Sequence, residues 1–251
     1  MNVAFRKVWR DLWNNKGRTL LVVLSIGVGV LALGMITASN TLLARQMTIS
    51  QKASNPSNVI LYLNGLIDDE TVKSIDRLPE VVDAEGVASM NIRWKPALDA
   101  EWEQATLIAL DDYDHQKFDL VELRSGQWPI SDLAAIEFNH VAPYKVPAVG
   151  GTVYFEVNDK PKPVQIGGTV RDPQQFPPPF AQQPAFYVTR DTLVLLGGFR
   201  DHSQLKFTIA DYSEANAERA ADVVEDRLNK LGVGVGFVQT QDPKRHFLQD
   251  T

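Results

Sequence analysis

The stretch LLVVLSIGVGVLALGMI, residues 20–36, decides how this chain is built, because it is more apolar and more continuous than a typical helix of a soluble protein. It lies inside a run without charged residues that extends from Thr19 to Ala44. A helix rises about 1.5 Å per residue, so this run reaches about 39 Å and exceeds a hydrocarbon core of about 30 Å. The sequence therefore predicts one transmembrane helix over residues 19–44.

Small residues recur along the predicted span. Gly27, Gly29 and Gly34 are costly in a soluble helix but ordinary in a membrane helix. Together, Ser25, Gly29 and Ala32 or Leu33 form a stripe that favours close packing against a second helix. Contact with lipid alone explains the same residues equally well.

The orientation of the span follows from its basic flanks. Five lysines and arginines precede it, whereas only Arg45 and Lys52 follow it closely. Positive charge stays on the cytoplasmic side, so we expect a cytoplasmic N-terminus and an exported body. A cleaved signal peptide is the alternative, since residues 37–39 (TAS) resemble a cleavage site. Such signals have apolar regions of about 7–15 residues, and this run is longer, so we favour an uncleaved anchor.

The leader before the span, residues 1–18, has one apolar face. Its apolar residues recur at the i, i+3, i+4, i+7 and i+8 spacing of a helix: Phe5, Val8, Trp9, Leu12 and Trp13. Basic residues occupy the other side, which suits anionic lipid. This pattern predicts an in-plane amphipathic helix in contact with membrane lipid. A helix packed on a cytoplasmic partner is the alternative, because it would use the same face.

Composition limits what the exported body does. The chain has 251 residues and a net charge of −6, although its first 45 residues carry six basic side chains against Asp11 alone. The acidic body repels phosphate backbones, so nucleic acid is not an expected partner. The chain has no cysteine, which excludes disulfides, thiolate metal sites and cysteine nucleophiles.

The two ends of the body repeat the order strand, helix, strand. The predicted segments are Asn58–Leu63, Asp68–Leu78 and Val81–Trp94 at the first end, and Leu205–Ala210, a helix capped by Ser213 and ended by Gly232, and Val233–Gln239 at the second. Two such units predict a split ferredoxin-like α/β subdomain over residues 45–110 and 204–251.

The middle of the body, residues 111–203, has a different composition and apolar pattern. Most of the prolines lie here, and short apolar runs alternate with turn residues. These features predict a β-rich subdomain inserted into the first. The overall expectation is an α+β fold that follows a transmembrane helix.

No motif predicts an enzyme, a cofactor or a metal site. The run DDYDHQ, residues 111–116, is rich in oxygen ligands but lacks the glycine and glutamate spacing of a calcium loop, so we interpret it as a solvated loop. Nucleophile and zinc motifs are missing from the sequence. The histidines are predicted to lie on the surface: His115, His140, His202 and His246.

One stretch suits contact with a partner. Consecutive prolines stiffen the chain before binding and present the flanking rings in a fixed pose. The predicted partner-contact loop comprises Phe176, Pro177, Pro178, Pro179 and Phe180. A rigid loop that packs its own rings inward is the alternative.

The whole chain resembles the MacB/FtsX-like permeases of ABC transporters. The resemblance is carried by these stretches: FRKVWRDLWNNKGRTLLVVLSIGVGV (5–30), LVELRSGQWP (120–129), VGGTVYFEV (149–157), VQIGGTVRD (164–172) and the helix before PKRHFLQD (243–250). These permeases place an in-plane helix and a first transmembrane helix before a large extracytoplasmic domain. That domain has an α/β part formed by both chain ends and an inserted β-rich part.

The resemblance implies a permease of the bacterial inner membrane that couples ATP hydrolysis by a separate subunit to conformational change outside the cytoplasm. The implied role is export or the handling of lipoproteins or other lipophilic substrates. The implied partners are membrane lipid, a separate ABC ATP-binding subunit, a second permease copy and a periplasmic adaptor. The family continues with further transmembrane helices, so ending at Thr251 predicts a truncated or split permease. A single-pass sensory or adaptor ectodomain without transport activity is the alternative.

Overall fold

The chain forms two compact units, Met1–Met47 and Thr48–Thr251. The computed structural model describes residues 10, 13, 15–110, 112–176, 178 and 180–243. Helix α1, Lys16–Ala53, begins in the first unit and ends in the second. The described part of the second unit is mostly β-structure.

Helix α1 contains the predicted span. Its segment Lys16–Ser39 is long and apolar enough to cross a membrane, as judged by length and composition. Large apolar side chains such as Leu24 and Ile26 are more than half exposed along it. A core helix of a soluble protein buries such side chains, whereas a membrane helix presents them to lipid. The predicted N-terminal apolar helix is therefore present.

The second unit contains ten described strands and three short or medium helices. The strands are β1 (Val59–Ile67), β2 (Asp83–Lys95), β3 (Glu103–Leu110), β4 (Glu122–Gly126), β5 (Leu133–Glu137), β6 (Thr152–Val157), β7 (Lys160–Arg171), β8 (Ala185–Thr189), β9 (His202–Thr208) and β10 (Val235–Thr240). The helices are α2 (Asp69–Asp76), α3 (Arg190–Leu195) and α4 (Glu214–Lys230), with a 3₁₀ turn at Phe138–His140.

Strands from both chain ends form an antiparallel sheet in the order β10-β1-β9-β2. Helices α2 and α4 cover one face of it, where Ile75 and Val224 join Leu61, Leu205 and Phe207 in a single buried cluster. Burial of this apolar surface, at about 25 cal/mol per Å², holds the helices on the sheet. The order strand, helix, strand at each end agrees with the sequence prediction.

Both covering helices begin at side-chain caps. Asp68 accepts a hydrogen bond from the Thr71 amide at 2.8 Å, and Ser213 accepts one from the Asn216 amide at 3.2 Å. Helix α4 is followed by Gly232, whose φ of +82° is a left-handed conformation that glycine adopts without strain. The predicted cap and the predicted stop of this helix are both found.

The remaining strands close into a small barrel. Pairing runs from the second half of β2 through β3, β8, β5, β7 and β6, and returns to β2 where Trp94 lies opposite Phe155. Strand β4 pairs with β7 outside this ring. Closure leaves the ring without an open edge, and apolar side chains fill its interior. The largest of them are Trp94, Leu107, Ile136, Phe155, Ile166 and Phe186.

Strand β2 is shared by the sheet and the barrel. Its first half pairs with β9, and its second half pairs with β3 and β6. Strand β3 lies before the predicted insertion at residues 111–203, yet its parallel pairing with β8 places it in the barrel wall. Strand β4 and helix α3 were not predicted, because β4 (ELRSG) is mostly exposed and polar and α3 has only six residues.

Candidate functional site

A cavity of about 300 Å³ lies between the helix-free face of the β10-β1-β9-β2 sheet and the outer face of barrel strands β3 and β8. Because side chains point alternately to the two faces of a strand, every second residue of these strands faces the cavity. On β9, Leu205 and Phe207 face the helices, so Gln204 and Lys206 face the cavity. On β8, Tyr187 faces it as well. We take this cavity as the candidate site because it collects buried charged groups.

A buried ion pair lies in the cavity wall. The Lys206 Nζ atom lies 2.9 Å from Asp119 Oδ2, and the two side chains are 14% and 1% exposed. Asp119 also accepts hydrogen bonds from Ser57 Oγ at 2.9 Å and Gln174 Nε2 at 2.8 Å. Burial lowers the pKa of Lys206, but Asp119 and Asp172 outweigh it and hold that pKa above its ordinary value. Lys206 is therefore charged inside the protein.

Two further carboxyl groups lie close together beside this pair. Asp172 accepts hydrogen bonds from Tyr187 Oη at 2.6 Å and from the Gln174 amide at 2.8 Å, and burial raises its pKa although Lys206 opposes the shift. Glu137 Oε2 accepts from the Asp172 amide at 2.7 Å. Burial raises the pKa of Glu137 to about 7.

The segment that follows α1 is tied to the same wall. The Leu120 amide donates to Ser54 O at 2.7 Å, and the Asp119 amide donates to Asn55 O at 3.1 Å. Asn55 Nδ2 donates to Lys117 O at 2.6 Å. Three hydrogen bonds therefore join Ser54 and Asn55, the two residues after α1, to the segment 117–120, which contains the acid of the buried ion pair, Asp119.

The predicted partner-contact loop is only partly described. Phe176 and Phe180 are 46% and 70% exposed, and Pro178 is half-buried. Pro177 and Pro179 lie outside the described residues. The exposure of Phe180 argues against a ring packed inward, and Phe176 lines the cavity. A contact role for this loop stays a prediction.

His140 and Tyr144 hold the two sides of this loop. His140 Nε2 donates to Phe176 O at 3.0 Å, and His140 Nδ1 accepts from the Ala185 amide at 3.1 Å. Tyr144 Oη donates to Ala181 O at 2.8 Å. The two partners of the imidazole assign its neutral form with the proton on Nε2, because Nδ1 must keep a lone pair.

We expect acidification to loosen the loop through His140. Burial lowers the pKa of His140, and a protonated ring no longer accepts from Ala185. A lowered folded pKa gives stabilisation that is complete above the usual value of about 6.5 and is lost as the pH falls below it. Amide exchange at Ala185, corrected for its intrinsic rate, should therefore quicken between about pH 7.5 and about pH 5. His140→Gln should remove this dependence and the exposed His115→Gln should keep it; unchanged protection at Ala185 contradicts the prediction.

The predicted membrane-interface residues fall mostly outside the described part of the chain: Phe5, Val8, Trp9 and Leu12. Trp13 is described, and its side chain is 62% exposed. The Lys16 Nζ atom lies 5.1 Å from the centre of the Trp13 ring, a cation–π distance. Their role at a membrane interface stays a prediction.

The surface prediction for the histidines is right for one and wrong for two. His115 is exposed and its Nδ1 lies 2.7 Å from Asp112 Oδ2 in the solvated loop. His140 and His202 are buried, because each finds a polar partner that offsets the loss of water. His246 lies outside the described residues. Within the described residues, no group of histidine and carboxylate side chains is arranged to hold a metal ion.

Sequence reasoning missed the charged residues of the cavity. One signal was available, because Lys206 interrupts the strand LKFTIA between Leu205 and Phe207, and alternation sends it to the opposite face. Asp119 and Asp172 lie in loops that meet only in the folded chain, so no local pattern marks them.

No protein-family model matches the sequence, and no curated protein matches it. Among solved structures, the chain is similar to the extracellular domain of the noncanonic ABC-type transporter YknZ from Gram-positive bacteria. That similarity has 13% identity and a TM-score of 0.47, and it covers 72% of this chain and 100% of the other.

Two further structures are similar to this chain. The periplasmic region of MacB from Actinobacillus actinomycetemcomitans has 14% identity and a TM-score of 0.48, covering 79% of this chain and 96% of the other. A domain of a putative permease from Porphyromonas gingivalis has 12% identity and a TM-score of 0.41, covering 75% and 81%.

Proposed function

We propose that this chain is the permease component of a MacB/FtsX-like ABC transporter in a bacterial cytoplasmic membrane, with its second unit outside the cytoplasm. The observation that carries the proposal is the order of parts along the chain. An apolar helix long enough to cross a membrane precedes a sheet built from both ends of the second unit, and a barrel lies between those ends.

A split ferredoxin-like layer is part of the same proposal. The four strands of this sheet follow one another in the chain as β1, β2, β9 and β10. In space, β10 lies beside β1, and β9 lies between β1 and β2. All of its pairs are antiparallel, and both helices share one buried cluster with its strands. This is the arrangement expected of two strand–helix–strand units that interlock.

The proposed mechanism is mechanical. ATP binding and hydrolysis by a separate subunit move the cytoplasmic leader and α1. The hydrogen bonds from Leu120 to Ser54 and from Asp119 to Asn55 pass that movement to the cavity wall. The exported unit then changes its pose against a second permease copy, a periplasmic adaptor or a lipophilic cargo. The chain supplies conformational change and no chemistry in this scheme.

Single-cysteine variants test the proposal, because the natural chain has no cysteine and each introduced thiol is unique. Two exposed positions are chosen for the cysteines: Arg10, in the leader, and Asp226, on α4. In membranes of the native host, Arg10→Cys carrying a photoreactive maleimide should crosslink to an ABC ATP-binding subunit, and Asp226→Cys should not. In intact cells, an impermeant maleimide should label Asp226→Cys and spare Arg10→Cys.

Each arm has a result that contradicts part of the proposal. Labelling of Arg10→Cys but not Asp226→Cys in intact cells contradicts the orientation. Correct labelling with no crosslink to an ATP-binding subunit contradicts the permease and favours the tethered sensory or adaptor ectodomain, which shares the anchor but has no ATPase partner.

A further inference from the structure

The walls of the cavity carry polar groups whose hydrogen-bonding capacity is not used up. The Lys206 ammonium has three N–H donors and, among the described residues, one partner, Asp119. The side-chain amide of Gln204 has no hydrogen-bond partner within the part of the chain that the structure describes. The side-chain oxygen of Gln239 accepts a hydrogen bond from Tyr62 Oη at a long 3.4 Å. Polar groups that line a cavity and lack protein partners are normally satisfied by water or by a ligand.

The charges of the cavity discriminate among ligands. A ligand cation would lie beside the charged ammonium of Lys206, which repels it at short range, and the carboxylate nearest to that ammonium, Asp119, is already paired with it. A ligand anion would face the carboxyl groups of Glu85, Asp119 and Asp172. A neutral molecule with several hydroxyl groups avoids both penalties, because each hydroxyl donates to a carboxylate or an amide oxygen and accepts from an ammonium or an amide N–H.

The aromatic rings in the wall and the volume of the cavity further limit the class of ligand that fits. Tyr62, Phe118 and Phe176 lie in the cavity wall among the polar groups, so a ligand meets apolar surface as well as hydrogen bonds. Apolar and aromatic walls with a few convergent polar groups are typical of small-molecule sites, whose volumes begin at about 300 Å³. A cavity of about 300 Å³ suits a molecule of one or two sugar rings.

From these observations we propose that the cavity binds a small, neutral, polyhydroxylated molecule of monosaccharide or disaccharide size. Lys206 and Gln204 on β9 donate to its hydroxyl oxygens, and Glu85 on β2 accepts from its hydroxyl groups. The ring of Tyr62 on β1 packs against its C–H face. Because Asp119 links the cavity to the segment after α1, an occupied cavity stiffens the connection to the membrane helix.

Calorimetric titration of the full chain tests the site. The chain is placed in phospholipid nanodiscs free of alkyl glycosides, since detergent sugars would compete. The probes are glucose, N-acetylglucosamine and trehalose, with putrescine as the cationic and succinate as the anionic comparison. We expect saturable binding of at least one sugar and none of either ion. Gln204→Leu should weaken sugar binding about tenfold or more, which is the loss expected when a hydrogen-bonding group is removed from a closed site.

Gln104→Leu is the matched control, because Gln104 is an exposed glutamine on strand β3 and does not line the cavity. This variant should bind sugar as the natural chain does. The proposal is overturned if none of the three sugars binds, which leaves a cavity filled only by water, or if either ion binds as tightly as a sugar. Equal binding by the Gln204→Leu and Gln104→Leu variants overturns it as well, and none of these outcomes bears on the permease.

Discussion

Lys206→Met is expected to lower the free energy of unfolding by about 3 kcal/mol or more, because removing one partner of a buried ion pair leaves the other charge uncompensated. Asp119 is 1% exposed and lies 2.9 Å from the ammonium. Its hydrogen bonds from Ser57 and Gln174 remain, so the loss should lie at the lower end of the range of about 3–5 kcal/mol for such changes. Denaturant titration of the full chain in nanodiscs, followed by circular dichroism, measures it.

Two further variants make this experiment decisive. Lys162→Met removes an exposed lysine from strand β7 and should change the unfolding free energy by less than about 0.5 kcal/mol. The double variant Lys206→Met with Asp119→Asn removes both charges and should regain most of the loss, since an amide costs less to bury than a lone carboxylate. A cost for Lys206→Met as small as that for Lys162→Met would show that the pair does not bear on stability.

Local patterns were sufficient to predict the elements at both ends of the chain. The uncharged run before Arg45 predicted the long apolar helix α1, and the strand and helix patterns of residues 205–239 predicted β9, α4 and β10. Such patterns work because apolar periodicity records which face an element buries.

The cavity was beyond such patterns because its residues come together only through long-range pairing. Asp119 and Lys206 are far apart in the sequence, and Glu85 lies on the shared strand β2. Closure of the barrel was not predictable either, because it depends on Trp94 in β2 lying opposite Phe155 in β6. A periodic sequence shows which face of a strand is buried, but it does not show which strand lies beside it.

The barrel interior is organised around one phenylalanine. Phe186, on β8, is fully buried and lies edge-on to two other rings, with centroid distances of 5.0 Å to Trp94 and 5.2 Å to Phe155. These rings come from β2 and β6, the strands whose pairing closes the barrel. Each edge-to-face pair contributes about 0.5–1.5 kcal/mol beyond the burial of its area. Phe186 therefore supports the closure itself.

Phe186→Ala is expected to cost about 3–5 kcal/mol of unfolding free energy, because the cavity it leaves removes contacts that neighbouring side chains cannot restore. Phe237→Ala is the matched control, since Phe237 is 61% exposed on edge strand β10 and should cost less than about 1 kcal/mol. The barrel and the helix-covered sheet have separate apolar clusters, so hydrogen exchange in the Phe186 variant should quicken first in β6 and β8, with α4 still protected. Simultaneous loss of protection in α4 and β8 would instead show that the two clusters unfold as one, through the strand β2 that they share.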